Sequence, residues 1–371
     1  MEKSYSRMVK TILVLSNHPT WTYKLRGEVL QALVQAGCRV IVAVGYGPEV
    51  ERLKEMGCEY VDMPYHRRSV NPVNELRLLW GYRKLIKKIN PDAVLSYTIK
   101  PNLYGAYLCK AMKIPCLVNI TGLGSALEQS GMIQHFFLKL YRYVFKDVYR
   151  VFFQNQSNLD LFVSQGIVHG NGVLLPGSGV NLITNRLLPY PSGEIIEFVF
   201  MARILKAKGI EEYLCAAKNI HQHYPQTQFH ICGFCDQDYS AVIDDFVKKG
   251  IVIYHGMVED PREIFKRTHC TVLPSWYSEG MNNVLLESAA CGRPIITTNR
   301  PGCGEIVEDG VNGFIVKPQD PEDLMEKMER FILMPDEMRK AMGQASRHKV
   351  ESKFDRNIVV RKYMETINSI V

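Results

Sequence analysis

Glu279 and Glu287 stand eight positions apart in EGMNNVLLE, between the apolar run CTVLPS (270–275) and the segment SAACGRPIITTN (288–299). The pattern predicts a strand end, a tight loop and a helix start. Carboxylates at that spacing lie roughly two turns apart on one helical face, with Glu279 at the loop mouth. Gly280 lets backbone come close to a ligand, and the first N–H groups of the helix carrying Val284 make an anion site. Carboxylates accept hydrogen bonds from hydroxyls and amides donate to phosphate, so the stretch suits a ligand with both, as a nucleotide sugar has. Two solvated helix carboxylates are the plainer alternative.

Arg203 and Lys208 follow the apolar run IIEFVFMAR (195–203), in a loop that Gly209 ends as a helix begins. Cations at the carboxyl end of a parallel sheet are placed for a diphosphate. There they would stabilise the negative charge that grows on a leaving diphosphate. Two surface cations are the alternative on spacing alone.

The elements that must hold these residues alternate throughout. KTILVLS (10–16), a turn-like NHPTWTYKLRG, an amphipathic EVLQALVQAG and RVIVAVG (39–45) read as β-loop-α-β, the opening of a doubly wound parallel sheet. DAVLSYT (92–98), a helix around YGAYLCKAM (104–112), PCLVNIT (115–121), a helix over 132–147 and RVFFQNQ (150–156) continue it, and GVLLPGSGV (172–180) closes the first half. LLPYPSGE (187–194) reads as a linker. The second half repeats the alternation from residue 195, with helices expected at 321–333 and 336–352 and a last helical run over 354–371.

Composition bounds the setting. At 371 residues two domains are expected, and 46% hydrophobic with 22% charged residues is ordinary for a globular protein. No apolar run approaches the ~18 residues of a membrane span, and MEKSYSRMVK lacks the apolar core of a signal peptide, so a cytoplasmic location is expected. The ten cysteines are scattered through apolar segments, as reduced core thiols are. The one CxxC, Cys232 to Cys235, lacks the second ligand pair a zinc site needs. Residues 1–185 hold 22 Lys and Arg against 12 Asp and Glu, whereas residues 186–371 hold 23 against 26. A basic first half suggests an anionic partner, phosphate head groups before nucleic acid, because no nucleic-acid-binding motif accompanies the charge.

The E-x7-E spacing, followed by A-x-C-G-x-P-I-I, resembles the signature of the family 4 retaining glycosyltransferases. FMARILKAKGI (200–210) matches that family's R-x4-K-G element, and PGCGEIVEDGVNGFIV (301–316) its G-x-x-E-x-V-x-x-G-x-x-G-F element. The resemblance implies an α/β GT-B fold, with two Rossmann-like doubly wound parallel-sheet domains facing a cleft. An acceptor-binding, membrane-facing domain would span 1–188, a nucleotide-sugar domain 195–353, and a terminal helix, 354–371, would cross back to the first domain.

By the same resemblance Glu279 would hold the donor sugar's hydroxyls or stabilise an oxocarbenium-like state, and Glu287 the ribose hydroxyls. Gly280, Met281, Asn282, Asn283 and Val284 would meet sugar or phosphates. The loop after Gly233 and the turn around Met257 would read the base, expected to be uracil. Thr121 and Gly122 stand where many members have a His-Gly pair, and would line the donor-sugar pocket. On the acceptor side the candidates are His18, Arg26, Asn71 within RRSVNP (67–72), and Lys100 and Asn102 in the TIKPN loop, with a solvated surface group the alternative for each.

RRSVNP, TIKPN and ITGLGS are similar to a narrower group that builds bacterial O-antigen, capsule or glycoprotein glycans on undecaprenyl diphosphate. That implies transfer of a hexose or N-acetylhexosamine, N-acetylgalactosamine first, from a UDP-sugar to a polyprenyl-diphosphate-linked saccharide. The leaving phosphate oxygen would take the acceptor proton, so neither a metal nor another cofactor is expected. GMIQHFFLKLYRYVFKDVYR (131–150) and ELRLLWGYRKLIKKI (75–89) are basic, aromatic-rich and amphipathic. They suit peripheral contact with the inner face of the bacterial cytoplasmic membrane, or core helices with a solvated basic face. The rival readings are a UDP-sugar 2-epimerase of the same fold and a non-catalytic nucleotide-sugar-binding protein.

Overall fold

The computed structural model describes residues 10–63, 71–122, 131–235 and 238–370, with the backbone alone for Ile133. The expectations placed on the amino terminus, on Arg67 to Val70 and on the ITGLGS loop beyond Gly122 lie outside the described residues. The chain divides into two compact units, Met1–Ser178 with Asn357–Val371, and Gly179–Arg356.

In the first unit seven strands form one parallel sheet: β1 (Thr11–Leu15), β2 (Arg39–Val44), β3 (Glu59–Asp62), β4 (Ala93–Tyr97), β5 (Cys116–Ile120), β6 (Arg150–Phe153) and β7 (Gly172–Leu174), in the order β3-β2-β1-β4-β5-β6-β7. Its central strands are nearly continuous apolar runs because both faces are covered. Leu13, Leu15, Val94 and Val118 pack on one side, and Ile12, Val14, Leu95 and Leu117 on the other. Helices α1 (Pro19–Gln35), α2 (Glu49–Glu55), α3 (Pro72–Ile89) and α4 (Ile99–Met112) alternate with the first strands. The helix Arg356–Asn368 supplies Val359, Tyr363 and Ile367 to the same core as α1.

The second unit carries a six-stranded parallel sheet: β8 (Ile196–Met201), β9 (Thr227–Cys232), β10 (Val252–Tyr254), β11 (Cys270–Leu273), β12 (Ile295–Thr298) and β13 (Gly313–Val316), in the order β10-β9-β8-β11-β12-β13. Strand order reverses between β1 and β4 in one unit and between β8 and β11 in the other. Those are the points where open α/β sheets bind ligands, just beyond the carboxyl ends of the strands.

Four boundaries depart from expectation. Helix α1 starts at Pro19, inside the expected turn, because proline is tolerated in a first turn whose N–H groups need no intrahelical partner. Helix α4 starts at Ile99 for the same reason, with Pro101 in its first turn, so Lys100 and Asn102 are helical rather than in a loop. The helix Met132–Phe145 stops before Arg150, which opens β6 and leaves the basic helix face. Residues 179–188, expected in the first domain, belong to the second unit. Val180 pairs with Asp355, and its N–H donates to Phe354 O at 2.8 Å. The expected linker is likewise fastened there, since Arg293 donates to Pro189 O at 2.6 Å and Tyr190 to His269 O at 3.1 Å.

Candidate active site

The β8 exit brings in two cations. After Met201 the chain passes Arg203, then a single 3-10 turn, Lys206–Lys208, before the helix Ile210–His223. Gly209 ends the turn at φ 82°, and a Cβ there would lie 2.4 Å from Pro274 O, so only glycine lets the β8 and β11 exits pass this closely. The β11 exit contributes Glu279. Lys208 Nζ forms an ion pair with Glu279 Oε1, its side chain 6% exposed against 21% for the glutamate. Lys208 Nζ also lies 5.2 Å from the Tyr277 ring centroid. Two positions read as separate phosphate and sugar contacts therefore meet.

Glu279 is held in place from both sides. Its N–H donates to Pro301 O at 3.1 Å, and Asn282 Nδ2 donates to Oε1 at 2.9 Å. Asn282 is the N-cap of the helix Asn283–Ala290, its Oδ1 accepting from Leu285 N at 3.1 Å. The helix thus begins four residues beyond Glu279; Glu287 lies on it and Glu279 does not, so the two carboxylates do not share a helical face. Asn282 N–H, one of the expected ligand donors, is engaged by Gly302 O at 2.8 Å. Gly280 and Met281 are buried in the loop, Val284 sits in the first helical turn, and Asn283 Oδ1 is buried without a hydrogen-bond partner.

The turn expected to read the base is built by glycines. Gly233, at φ 138°, lies so close to the β8 exit that a Cβ would sit 1.8 Å from Ala202 O. Its N–H donates to Gly256 O at 2.7 Å, while Met257 beside it is exposed. A chain of side chains that sequence spacing does not reveal underlies this turn. Arg267 Nε donates to Glu197 Oε2 at 2.9 Å, His230 Nε2 meets the same oxygen at 2.7 Å, and His230 Nδ1 lies 2.9 Å from His255 Nε2. The contact between His230 Nδ1 and His255 Nε2 needs one of the two rings to donate and the other to accept. Burial, with His230 adjacent, pushes His255 below its ordinary range and keeps it neutral.

In the first unit, Asn71 caps α3, its Oδ1 accepting from Val73 N at 2.9 Å. Lys100 Nζ pairs with Glu75 at 2.7 Å, and Tyr104 Oη donates to the other oxygen of that carboxylate at 2.7 Å. Glu75 also lines a largely apolar groove of about 340 Å³ with Met63, Leu78 and Trp80. Asn102 Nδ2 donates to Asn119 O at 2.8 Å, and Asn119 Nδ2 donates to Tyr363 Oη at 2.7 Å. His18 is the extended N-cap residue of α1, Arg26 is buried further along it, and Thr121 and Gly122 follow β5. Asn119 and Tyr363 were not anticipated: 244 positions separate them, and no motif links them.

Two family models match the chain. Residues 11–155 match the glycosyl transferase 4-like family and residues 191–349 the glycosyl transferases group 1 family. The chain is 26% identical over 376 residues, 96% of its length and 98% of the relative's, to the N,N'-diacetylbacillosaminyl-diphospho-undecaprenol alpha-1,3-N-acetylgalactosaminyltransferase of Campylobacter jejuni. It is 22% identical over 312 residues, 79% of each chain, to the UDP-Gal:alpha-D-GlcNAc-diphosphoundecaprenol alpha-1,3-galactosyltransferase of Escherichia coli. Among solved structures, Anabaena Alr3699/HepE in complex with UDP and glucose superposes with a TM-score of 0.79 at 16% identity, over 97% of this chain and 100% of that one. With both halves matched and the two parallel-sheet units in place, the chain belongs to the glycosyltransferases of GT-B fold, 4-like in its first unit and group 1 in its second.

Proposed function

We propose that the protein transfers a hexose or N-acetylhexosamine, N-acetylgalactosamine first, from a UDP-sugar to a saccharide carried on undecaprenyl diphosphate, with retention of configuration. The observation that carries the reading is the Lys208–Glu279 pair where strand order reverses in the second unit. A nucleotide sugar offers that pair a partner for each member, diphosphate oxygens for Lys208 and sugar hydroxyls for Glu279. The names of the Campylobacter and Escherichia relatives, both acting on diphospho-undecaprenol saccharides, support the acceptor class.

In the reaction, the bond from the sugar's anomeric carbon to the diphosphate oxygen breaks and the acceptor oxygen bonds to that carbon from the same face. The acceptor's proton passes to the departing phosphate oxygen, so the step needs no protein base. Arg203 and Lys208 stabilise the charge gathering on the diphosphate. Glu279, oriented by Asn282, holds the sugar's hydroxyls, and Glu287 takes the ribose. Glycines 233 and 256 bring backbone to the uracil, and in the first unit Thr121 and Gly122 stand ready for a sugar. That unit takes the acceptor, at the membrane surface. Val73, Leu76 and Trp80 on α3, and Met132, Phe136 and Tyr143 on the helix Met132–Phe145, are exposed among lysines and arginines. An anionic bilayer attracts such faces.

The test is UDP release from a panel of UDP-sugars in EDTA, with and without a polyprenyl-diphosphate-linked sugar, for wild type and Glu279→Ala. Acceptor-dependent release with one donor, lost in the variant, is expected. Release without any acceptor would point to the epimerase instead, and silence with every nucleotide sugar would sink the transferase reading.

A further inference from the structure

The side chains running from Arg267 through Glu197 and His230 to His255 end at the glycine turn expected to read the base. Register brings them together. His230 faces Val199 of β8 on one side and Ile253 of β10 on the other, and registered partners share a face of the sheet. Glu197 lies two residues before Val199 and His255 two residues after Ile253, where the ladder still holds because His255 N donates to Ile231 O at 2.9 Å. Side chains two apart point the same way, so Glu197, His230 and His255 form one diagonal across one face, from the start of β8 to the exit of β10.

At the end of that diagonal the two glycine loops are tied to each other. Gly256 O accepts from Gly233 N at 2.7 Å, and Tyr254 Oη donates to Gly233 O at 2.8 Å. A Cβ at Gly256 would meet no atom within 4 Å, so the turn borders open space and has no side chain of its own to hold it. Next to it is the histidine pair, ring centroids 5.2 Å apart with 29° between the planes. His230 is fully buried, and its Nε2 is already engaged by Glu197.

A contact between two ring nitrogens needs one N–H and one lone pair. It survives a charge on either ring, whichever donates, and fails when both rings are cations, because two N–H groups then face each other. Burial is the first obstacle to charging His255; His230 beside it and Arg267, just beyond the helix Pro261–Phe265, add to it, and Glu197 on β8 alone favours the charge. The pair therefore holds at neutral pH and gives way only as pH falls below the ordinary histidine value near 6.5.

We propose that His255, braced through His230 on Glu197, is a positioning residue for the nucleotide base, and that charging both rings in mild acid loosens the Gly233–Gly256 turn and releases the nucleotide. The inference rests on the reading of that turn as the base contact and names the side chains that hold it in place.

The experiment is calorimetric titration of the full chain with UDP and, separately, with inorganic pyrophosphate, from pH 7.5 down to about 5.5, with the melting temperature followed over the same range to show that the fold persists. His255→Gln keeps a donor and an acceptor but does not titrate. Near pH 7.5 its UDP affinity should stay within threefold of wild type; near pH 5.5 wild type should bind UDP at least fivefold more weakly than the variant. Protonation of the ligand's own phosphates is common to both proteins and cancels in that ratio. Pyrophosphate, which has no base, should bind both proteins alike at each pH. Arg267→Gln removes a half-exposed cation that opposes the charge on His255, so the loss of UDP should move to higher pH. Should His255→Gln fail to fold, that shift carries the test. Parallel UDP profiles for wild type and the variants, or an equal effect on pyrophosphate, would overturn the proposal and leave the nucleotide site standing. No UDP binding by wild type at any pH would sink the nucleotide-site reading and the proposal with it.

Discussion

The two units place their polar residues at the same topological position and balance charge there in opposite ways. Where strand order reverses in the second unit, Lys208 and Glu279 are already paired, with Asn282 and Pro301 fixing the carboxylate. At the matching point of the first unit, Arg26 is more deeply buried than the glutamate, its guanidinium lies against the Tyr97 ring, and among the described residues no carboxylate pairs with it. A site that balances its own charges is stable when empty and must open that pair to bind. A buried cation without a carboxylate is instead held at a cost to the fold.

The largest expected effect tests the paired site. Glu279→Ala removes the carboxylate proposed to orient the donor, and turnover should fall by about 10²- to 10³-fold, read as UDP release. A loss under tenfold would mean the pair is only structural. Gly233→Ala forces a side chain against Ala202 O at a positive φ, and should cost about 3 kcal/mol or more in denaturant unfolding.

A pH effect of similar size is confined to the second unit. His269 Nδ1 accepts from Glu197 N at 3.1 Å, and burial, with Arg339 and Arg293 nearby, pushes the imidazole down to about 4. A depressed histidine contributes stability that is complete above its unfolded value near 6.5 and is lost as pH falls toward 4. On the order of 3 kcal/mol is at stake over that window. Thermal unfolding followed from pH 7 to 4 should show the fall, and His269→Gln should flatten it.

Smaller substitutions put the comparison to its sharpest test. Lys208→Met leaves the Glu279 carboxylate without its cation and should destabilise the ligand-free protein by about 2 kcal/mol. Arg26→Met removes an unbalanced charge and should stabilise it by about 1 kcal/mol. If both lower the melting temperature equally, the contrast between the units is false. Tyr363→Phe, which strips one hydrogen bond from Asn119, should cost about 1 kcal/mol in chemical unfolding.

Much of this was legible in the chain because the signals were local. Apolar runs followed by Arg203, Lys208 and Glu279 marked strand exits, and the strong β8 and β11 runs left little choice of register. β3 went unread because EYVD is a half-exposed edge strand with no apolar run to mark it. The starts of α1 and α4 were misplaced because prolines that look like breakers are at home in a first turn. The Arg267–Glu197–His230–His255 chain draws on a helix exit and three neighbouring strands, so no spacing along one segment encodes it. Lys100 read as a cation for a ligand, but its nearest carboxylate, Glu75, arrives from another helix.

The helix Arg356–Asn368 completes the core of the first unit, although the whole second unit separates it from that unit in sequence. During synthesis the first 178 residues emerge with one face of their sheet only partly covered, by α1 and α2. At roughly 5–20 residues per second, that face waits about ten to thirty-five seconds for Val359, Tyr363 and Ile367. A chain cut short near its end would therefore carry a finished second unit and an unfinished first one, with exposed apolar surface to mark it for disposal.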